Sequence, residues 1–181
     1  MNHSDHVALL RGGVEKAGSG GVLWADLGSG GGAFTLALAE LLGPGGRIVS
    51  VDRDRGALRE QAAAMAARFP EVELEQRVAD FTGDLGLPSL DGIVMANSLH
   101  FQPDRAAVIR RVRAMLRPGG RLVIVEYDAD RGNPWVPYPL PFTRLPEVAA
   151  CAGFSSPRLL GSRPSRYHRR VYSAVCMRAG A

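Results

Sequence analysis

The sequence predicts a doubly wound α/β fold, in which a mostly parallel sheet of seven strands has helices on both faces and ends in an antiparallel hairpin. Three observations predict it. Short, almost continuously apolar runs alternate with helical patterns, which is typical of parallel strands buried on both faces. Glycine- and proline-rich segments separate these runs. The last two apolar runs have no helix between them, which predicts the hairpin.

Hydrophobic periodicity and turn residues place each element in order. In the first half we expect a helix over residues 5–17 and a strand over Val22–Leu27. A helix over Ala33–Leu42 stops at Gly43-Pro-Gly-Gly46 and is followed by a strand over Arg47–Asp52. Next come a helix whose apolar face carries Leu58, Ala62, Met65 and Phe69, and a strand of alternating character over Val72–Val78. In the second half we expect a strand over Ile93–Ala96, and then a helix that ends at Pro118-Gly-Gly120 and whose apolar stripe is Val108, Ile109, Val112, Met115 and Leu116. A strand over Leu122–Val125 and a helix over about Pro146–Ala152 follow. The last two strands lie near Arg158–Leu160 and Arg170–Met177.

Composition limits the class of protein. The 181 residues are 46% hydrophobic and 22% charged, which is typical of one globular domain. We divide that domain into a helical segment (1–21), a core (22–127) and a C-terminal part (128–181). No apolar run approaches the roughly 20 residues of a membrane span, and the polar N-terminus has no signal-peptide core. Cys151 and Cys176 lack metal-type spacing, so we expect reduced thiols in a cytoplasmic protein without a bound metal.

The net charge of +4 comes mostly from scattered arginines, the densest group lying between Arg163 and Arg170. A nucleic-acid-binding face combines basic residues with aromatic platforms. The chain offers little of that combination, so a solvated basic surface is favoured and nucleic acid is not expected as a partner.

The segment Val22-Leu-Trp-Ala-Asp-Leu-Gly-Ser-Gly-Gly-Gly32 carries the functional signal. A strand passes directly into glycines that let a ligand approach the backbone, and a helix follows. The next strand ends in Asp52, an acid that can accept hydrogen bonds from a ribose diol. Asp26 would repel a pyrophosphate, but it would attract a ligand that carries an amino group and a sulfonium.

The Asp-x-Gly-x-Gly-x-Gly arrangement resembles the first motif of the class I S-adenosylmethionine (SAM)-dependent methyltransferases. The resemblance extends to Val78-Ala-Asp-Phe81, to Asp91-Gly-Ile-Val-Met-Ala-Asn-Ser-Leu-His100 and to Met115-Leu-Arg-Pro-Gly-Gly-Arg-Leu-Val-Ile-Val125, and covers about residues 20–127. It implies a Rossmann-like fold with SAM as cofactor and S-adenosylhomocysteine as product. The sequence is most similar to the small-molecule branch that includes ubiquinone- and menaquinone-biosynthesis methyltransferases.

The resemblance also implies which residues hold the cofactor. Asp26 and the loop Gly28, Ser29, Gly30 and Gly32 would line the methionine and ribose, Asp52 would bind the ribose with Arg53 beside the adenine, Asp80 and Phe81 would meet the adenine, and Asn97, Ser98 and Leu99 would form the floor. Each has a structural alternative. The glycines can form a simple turn, Asp80 can cap the turn toward Gly83, and Asp52 can cap the next helix.

His100 and Tyr127 are the catalytic candidates, since both follow strands that end at the expected crevice. A histidine titrates near neutrality and suits a general base; its alternative role is structural. Trp135, Tyr138 and Phe142 would form an apolar wall for the acceptor, or simply pack their own loop onto the sheet. His168 is expected at the exposed surface, and Glu126 carries no specific signal.

Several functional alternatives remain. The fourth strand ends in Asn97-Ser-Leu-His100, not in the Asn/Asp-Pro-Pro-aromatic pattern of enzymes that methylate amino groups of DNA bases or glutamine. A small acceptor, apolar or aromatic, is therefore favoured. An NAD(P)-dependent oxidoreductase, a non-catalytic SAM-binding module and, from charge alone, a nucleic-acid methyltransferase are the alternatives. Because little chain precedes the first strand, the site is either open, closed by the loop over residues 133–142, or completed by a second subunit of a homodimer.

Overall fold

Helices and strands alternate as the sequence predicts. The computed structural model describes residues 1–18 and 20–180; Ser19 and Ala181, which belong to the first and last predicted segments, lie outside the described residues. The helices are α1 (His3–Leu10), α2 (Ala33–Leu42), α3 (Arg55–Arg68), α4 (Arg105–Met115) and α5 (Leu145–Cys151), and two short 3-10 helices span Leu99–Phe101 and Phe142–Arg144. The strands are β1 (Val22–Leu27), β2 (Gly46–Asp52), β3 (Glu73–Val78), β4 (Leu90–Ala96), β5 (Leu116–Tyr127), β6 (Arg158–Pro164) and β7 (Arg170–Met177). None of the described helices is long and apolar enough to cross a lipid bilayer.

The strands form one sheet in the order β3-β2-β1-β4-β5-β7-β6. β1 to β5 pair in parallel, and β7 runs antiparallel to both β5 and β6. The predicted fold class is therefore confirmed. The chain moves outward from β1 to β3 and then returns to place β4 on the other side of β1. Such a reversal leaves a crevice at the carboxyl ends of the two central strands, where doubly wound sheets bind their ligands.

An apolar core lies on each face of the sheet. α4 and α5 cover one face with buried residues such as Ile109 and Leu145. α1, α2 and α3 cover the other with residues such as Leu38 and Met65. Side chains along β5 alternate between the two cores, because successive residues of a strand point to opposite faces. Burial on both faces fixes the strands and therefore the positions of the side chains at their carboxyl ends.

The first helix is shorter than predicted. The sequence predicts helix to residue 17, but α1 ends at Leu10. Gly12 adopts a φ of +82°, a left-handed conformation that interrupts a helix. A Cβ atom on Gly13 would lie 2.8 Å from side-chain carbons of Leu160 and Val123, so the chain is in close contact with β5 and β6 at this point. Val14 still packs against the core, which explains its apolar spacing.

Three strands extend at least three residues beyond their predicted bounds, where they make further pairs with neighbouring segments. β5 begins at Leu116 rather than Leu122, and runs through a segment in which Gly119 donates to the Arg178 carbonyl and Arg178 donates to the Gly120 carbonyl. β4 begins at Leu90 rather than Ile93. β6 continues to Pro164 rather than Leu160, paired with β7 throughout. The hairpin turn over residues 165–169 consequently lies at the carboxyl edge of β5, beside the crevice.

Candidate active site at the carboxyl ends of the strands

A crevice of about 230 Å³ opens where β1, β2 and β4 end. Seven predicted site residues line it: Gly28, Asp52, Arg53, Asp80, Phe81, Asn97 and Ser98. Three further residues line it that sequence reasoning missed: Ala79, Phe101 and Gln102. The last two lie in and just after the 3-10 helix that follows β4, and no sequence motif identified this helix. The prediction that these strand ends converge on one crevice agrees with this geometry.

The glycine loop after β1 is fixed to β2 by its backbone. The amides of Gly28 and Ser29 both donate to the Val51 carbonyl, at 2.8 and 3.2 Å, and the Ser29 hydroxyl lies 2.7 Å from that of Ser50. Gly28 has a φ of +78°, and a Cβ atom there would lie 2.5 Å from the Ser98 Cβ. Gly30 has a φ of +51° and open space around it. The loop is therefore a tight turn at Gly28 and leaves open space at Gly30, where a ligand can approach the backbone.

Asp52 holds the loop and does not cap the following helix. Its Oδ2 accepts a hydrogen bond from the Gly30 amide at 2.7 Å, and its Oδ1 accepts one from the Asp54 amide at 2.9 Å. The N-cap of α3 is Asp54, whose carboxylate accepts from the amides of Gly56 and Ala57. The helix-cap alternative for Asp52 is thus wrong, and its carboxylate lies at the wall of the crevice.

Asp80 combines both of the roles considered for it. Its Oδ1 accepts hydrogen bonds from the Thr82 amide and hydroxyl, and its carbonyl accepts from the Gly83 amide, which closes the predicted turn. These hydrogen bonds from Thr82 hold the pKa of the Asp80 carboxyl below its ordinary value. Its Oδ2 lies 3.6 Å from Arg53 and remains at the crevice.

Asn97 carries two marks of a ligand site. Its φ is +53°, and among the described residues no other residue except glycine has a positive φ. Such a conformation costs roughly 1 kcal/mol for an L-residue and is concentrated at functional sites. Its Oδ1 is buried and has no hydrogen-bond partner among the described residues. The neighbouring Ser98 donates to the Leu27 carbonyl at 2.8 Å and so joins the ends of β4 and β1.

Three predicted cofactor residues lie behind the crevice. Leu99 is fully buried in the core, and only its amide takes part in the local hydrogen bonding, so the prediction that it forms the floor is corrected. A Cβ atom on Gly32 would meet the Gln61 side chain at 2.4 Å, so Gly32 allows α2 to pack on α3. Asp26 is 1% exposed and lies beneath the loop.

Asp26 begins a buried chain of polar side chains. Its Oδ2 accepts from the Thr35 hydroxyl at 2.6 Å, Thr35 accepts from Gln61 at 2.8 Å, and Gln61 accepts from Gln76 at 2.7 Å. Burial raises the pKa of the Asp26 carboxyl to about 7, with the Asp52 charge adding to the effect and the Thr35 hydrogen bond opposing it. A cation placed nearby would favour the ionised form.

A buried pair of His100 and Glu126 lies next to the crevice. His100 Nδ1 is 2.9 Å from Glu126 Oε2, and both side chains are at most 3% exposed. Glu126 also accepts from the amides of Leu99, His100 and Tyr127. Glu126 is not among the site residues predicted from the sequence. The available signal was an acid within the apolar run of β5, which needs a partner when its strand is buried on both faces.

Tyr127 joins this pair to the hairpin turn. Its ring lies 5.2 Å from the His100 ring, 6.4 Å from that of Tyr167 and 5.8 Å from that of His168. Burial raises the pKa of the Tyr127 phenol, and the nearby Glu126 charge adds to the effect. Tyr127 therefore favours the role of a hydrogen-bond donor over that of a base. His168, predicted at the surface, is half-buried against Tyr127 and Asn133.

The aromatic loop over residues 133–142 is joined to the 3-10 helix that borders the crevice. The Tyr138 amide donates to the His100 carbonyl, and Arg105 donates to the carbonyls of Tyr138 and Pro139. The rings of Trp135 and Tyr138 are exposed. Phe142 instead packs on Tyr172, 5.5 Å between ring centroids, against the α4–α5 core. For Phe142 the geometry favours the packing alternative over a place in the acceptor wall.

The polar groups of the crevice fit a nucleoside cofactor with a cationic tail. Asp52 and the orphaned Asn97 oxygen offer acceptors for hydroxyl or ammonium donors, Gly30 leaves a cradle, and Asp26 is an acid whose ionised form a cation would stabilise. A pyrophosphate bound at the glycine loop would instead lie near the Asp26 carboxylate, which would repel it.

Comparison with known proteins agrees with this chemistry. A family model described as a methyltransferase domain matches residues 25–122. The acetylserotonin O-methyltransferase of Mus musculus is 38% identical over 110 residues, which cover 56% of this chain and 27% of that protein. The arsenite methyltransferase of Aquipseudomonas alcaligenes is 33% identical over 113 residues, which cover 59% of this chain and 33% of that protein. The chain thus spans about a third or less of these relatives.

The fold recurs in solved structures. The 1,6-didemethyltoxoflavin-N1-methyltransferase of Burkholderia thailandensis, solved with bound 1,6-didemethyltoxoflavin and S-adenosylhomocysteine, superposes with a TM-score of 0.73 at 21% identity, over 98% of this chain and 78% of that one. The arsenic(III) methyltransferase of Chlamydomonas reinhardtii gives a TM-score of 0.72 at 20% identity, over 96% and 67%. At such identity the likeness establishes the fold.

Proposed function

The chain belongs to the methyltransferase-domain family of class I SAM-dependent enzymes, and from that premise we propose that it transfers the methyl group of SAM to a small aromatic or apolar acceptor. The observation that carries the proposal is the crevice itself. An acid after β2, an acid after β3 and a strained asparagine after β4 face one cavity beside an open glycine loop. The alternative of a nicotinamide oxidoreductase keeps Asp52 as a ribose ligand but requires a pyrophosphate beside Asp26, which the charge of that acid opposes.

Each part of the cofactor has a matching group in the crevice. Asp52 would bind the ribose hydroxyls, and Asp80, Arg53 and the Phe81 segment would surround the adenine. The open space at Gly30, with Asp26 beneath, would receive the amino-acid end. Asn97 would use its free Oδ1 to accept a donor from the ligand. The quinone-biosynthesis branch stays a prediction, because methyltransferases named for other acceptors, acetylserotonin and arsenite, are also among the relatives.

When bound, SAM supplies a methyl group on a positively charged sulfur, so that an acceptor atom forms the new bond to carbon while the carbon–sulfur electron pair returns to sulfur. The protein then has to hold the acceptor in line and remove its proton. We assign the proton to His100. Glu126 binds its Nδ1 and fixes the tautomer, which leaves Nε2 as the basic nitrogen. Tyr127, as a donor beside His100, would orient the acceptor.

Calorimetric titration with S-adenosylhomocysteine and NAD, on the wild type, Asp52→Ala and Asp54→Ala, tests the proposal. Both variants lose one carboxylate at the end of β2. Asp52 faces the crevice, whereas Asp54 only caps α3. We expect S-adenosylhomocysteine to bind the wild type and Asp54→Ala, and to bind Asp52→Ala at least about tenfold more weakly, because a ribose diol loses its charged acceptor.

Equal weakening in both variants would assign the effect to helix α3 rather than to the ribose. NAD binding without S-adenosylhomocysteine binding would refute the proposal. Tight binding of S-adenosylhomocysteine together with no turnover on a broad acceptor panel would favour the non-catalytic module. Light scattering of the same samples would test the predicted homodimer, and it does not bear on the cofactor.

A further inference from the structure

A continuous row of aromatic rings leads from the cofactor crevice to the β6–β7 turn. Phe101 lines the crevice and lies 4.2 Å from the ring of His100, which lies 5.2 Å from that of Tyr127. Tyr127 in turn meets the ring of Tyr167 edge-on, at 6.4 Å and 88°. Phe101 and Tyr167, at the two ends of the row, are about half exposed, whereas His100 and Tyr127 between them are buried. The exposed ring at each end offers a face on which a further flat ring packs well.

The turn that ends this row is held in a defined position. Asn133 Oδ1 accepts hydrogen bonds from the amides of Trp135 and Val136, which fixes the orientation of its side-chain amide. Asn133 Nδ2 is therefore the donor toward the Tyr167 carbonyl and toward His168 Nε2, at 3.1 and 3.0 Å. The turn is thus joined to the loop that follows β5, and the two segments face each other across Tyr127.

The same turn carries unbalanced positive charge. Arg163 is paired with Asp5, and Arg170 is paired with Asp128. Between them, Arg166 and Arg169 are exposed and form no ion pair among the described residues. Both lie within two residues of Tyr167. A positive site at the outer end of an aromatic wall attracts a molecule that is flat at one end and negative at the other.

We propose that the methyl acceptor is an aromatic acid, whose ring packs on the exposed Tyr167 and whose carboxylate or phosphate is bound by Arg166 and Arg169. This inference rests on the proposed function and names its acceptor class. The charged group lies outside the crevice, so that the ring substituent to be methylated points along the row of rings toward the cofactor crevice. The hairpin turn, rather than the segment before β1, thereby determines acceptor specificity.

Binding of matched acid and amide pairs tests this inference without depending on turnover. 4-Hydroxybenzoate and 4-hydroxybenzamide, and indole-3-acetate and indole-3-acetamide, differ in charge but hardly in shape. Each is titrated into the protein saturated with S-adenosylhomocysteine. Phenyl phosphate is included to compare phosphate with carboxylate. Benzoate and cyclohexanecarboxylate are included to compare an aromatic acid with an acid of similar size that has no aromatic ring.

We expect each aromatic acid to bind about tenfold more tightly than its amide, which corresponds to about 1.4 kcal/mol. The ratio of acid affinity to amide affinity should fall to about one in the double variant Arg166→Gln/Arg169→Gln and should stay near ten in the double variant Arg47→Gln/Arg110→Gln. The control pair removes the same charge from exposed arginines away from the turn, at the start of β2 and on α4. Cyclohexanecarboxylate should bind more weakly than benzoate, and Tyr167→Leu should reduce that difference.

The outcomes that oppose the inference are distinct from failure of the proposed function. Equal affinity for acids and amides, a preference that survives the double variant, or no binding of any aromatic acid to a chain that binds S-adenosylhomocysteine would overturn it. So would salt-dependent RNA binding that the double variant abolishes while acids and amides stay equal, since the arginines would then serve a nucleic acid. Failure of S-adenosylhomocysteine to bind would refute the proposed function, and this inference would fall with it.

Discussion

At the scale of single residues, Asp26 shows how burial and function oppose each other. The carboxylate lies beneath the cofactor loop with the Thr35 hydroxyl as its hydrogen-bond donor. Its burial raises the pKa to about 7, so ionising it in the folded chain costs free energy. Structure alone would favour an uncharged residue at this position. An acid makes physical sense when a cationic ligand group repays this cost on binding.

Asp26→Asn should stabilise the protein at pH 8 and leave it unchanged at pH 4. Between about pH 4 and 7 the folded chain keeps a proton that the unfolded chain has released, so the stability of the wild type falls as the pH rises through this window. The raised pKa of Asp26 corresponds to up to about 4 kcal/mol above pH 7. Asparagine can still accept from Thr35 and does not ionise. Urea unfolding at both pH values measures the difference.

Asp54→Asn is the matched control for this prediction. It makes the same chemical change at an exposed N-cap, where asparagine caps as well as aspartate, so stability should change by less than about 0.5 kcal/mol at either pH. A gain in Asp26→Asn that is equal at pH 4 and pH 8 would show that the cost does not come from burying the carboxylate charge. Weaker binding of S-adenosylhomocysteine to Asp26→Asn would support the cationic role.

At the scale of elements, the site depends on how the ends of neighbouring strands are joined. Glu126, near the end of β5, accepts hydrogen bonds from two amides of the 3-10 helix that follows β4, and from the His100 imidazole. This carboxylate positions the helix that supplies Phe101 and Gln102 to the crevice. A buried acid with several donors is stable only while each donor remains.

Two substitutions of His100 separate its structural role from its chemical role. Asparagine keeps an NH₂ group near the position of Nδ1 and can still donate to Glu126, but it has no equivalent of Nε2. We expect His100→Asn to bind S-adenosylhomocysteine within about twofold of the wild type and to lose about 100-fold in turnover. His100→Ala also removes the donor, and should lower the free energy of unfolding by about 1–3 kcal/mol.

The pair between His3 and Glu40 provides the control, because it has the same chemistry at an exposed position. His3→Ala should change stability by less than about 0.5 kcal/mol. Turnover that persists in His100→Asn would show that His100 is only structural. The stability of His100→Ala and His3→Ala is measured by urea unfolding. The turnover of His100→Asn is measured as S-adenosylhomocysteine formation on the aromatic acid that binds the wild type most tightly.

Particular elements show what could be read from the sequence. The strand interiors and the glycine loop were predictable because burial on both faces and positive φ each leave a strong local pattern. The end of α1 was not, since Gly12 interrupts a helix whose apolar spacing continues to Val14. Glu126 and the place of His168 depend on pairing between strands far apart in sequence. No local pattern encodes these contacts, which position His100 and the hairpin turn.

At the scale of the whole molecule, the reactivity of the two cysteines distinguishes an exposed thiol from one that becomes accessible only when the sheet opens. Cys151 is exposed at the end of α5. Cys176 is buried on β7, with its thiol against the Leu122 carbonyl, and burial raises the pKa of this thiol to about 12. A thiolate is the reactive form, so Cys176 should react with a disulfide reagent only when β7 opens.

S-adenosylhomocysteine should therefore slow the modification of Cys176 while leaving that of Cys151 unchanged. The cofactor crevice and β7 belong to one continuous sheet, so a ligand that stabilises the folded state reduces the population in which β7 is open. At 100 times its dissociation constant, the ligand adds about 2.7 kcal/mol, and the Cys176 rate should fall about 100-fold. Measurement on Cys151→Ser isolates the slow thiol. A Cys176 rate that does not respond to the ligand would show that the β6–β7 hairpin opens separately from the cofactor core, and the acceptor wall built on that hairpin would then be mobile while the cofactor is held.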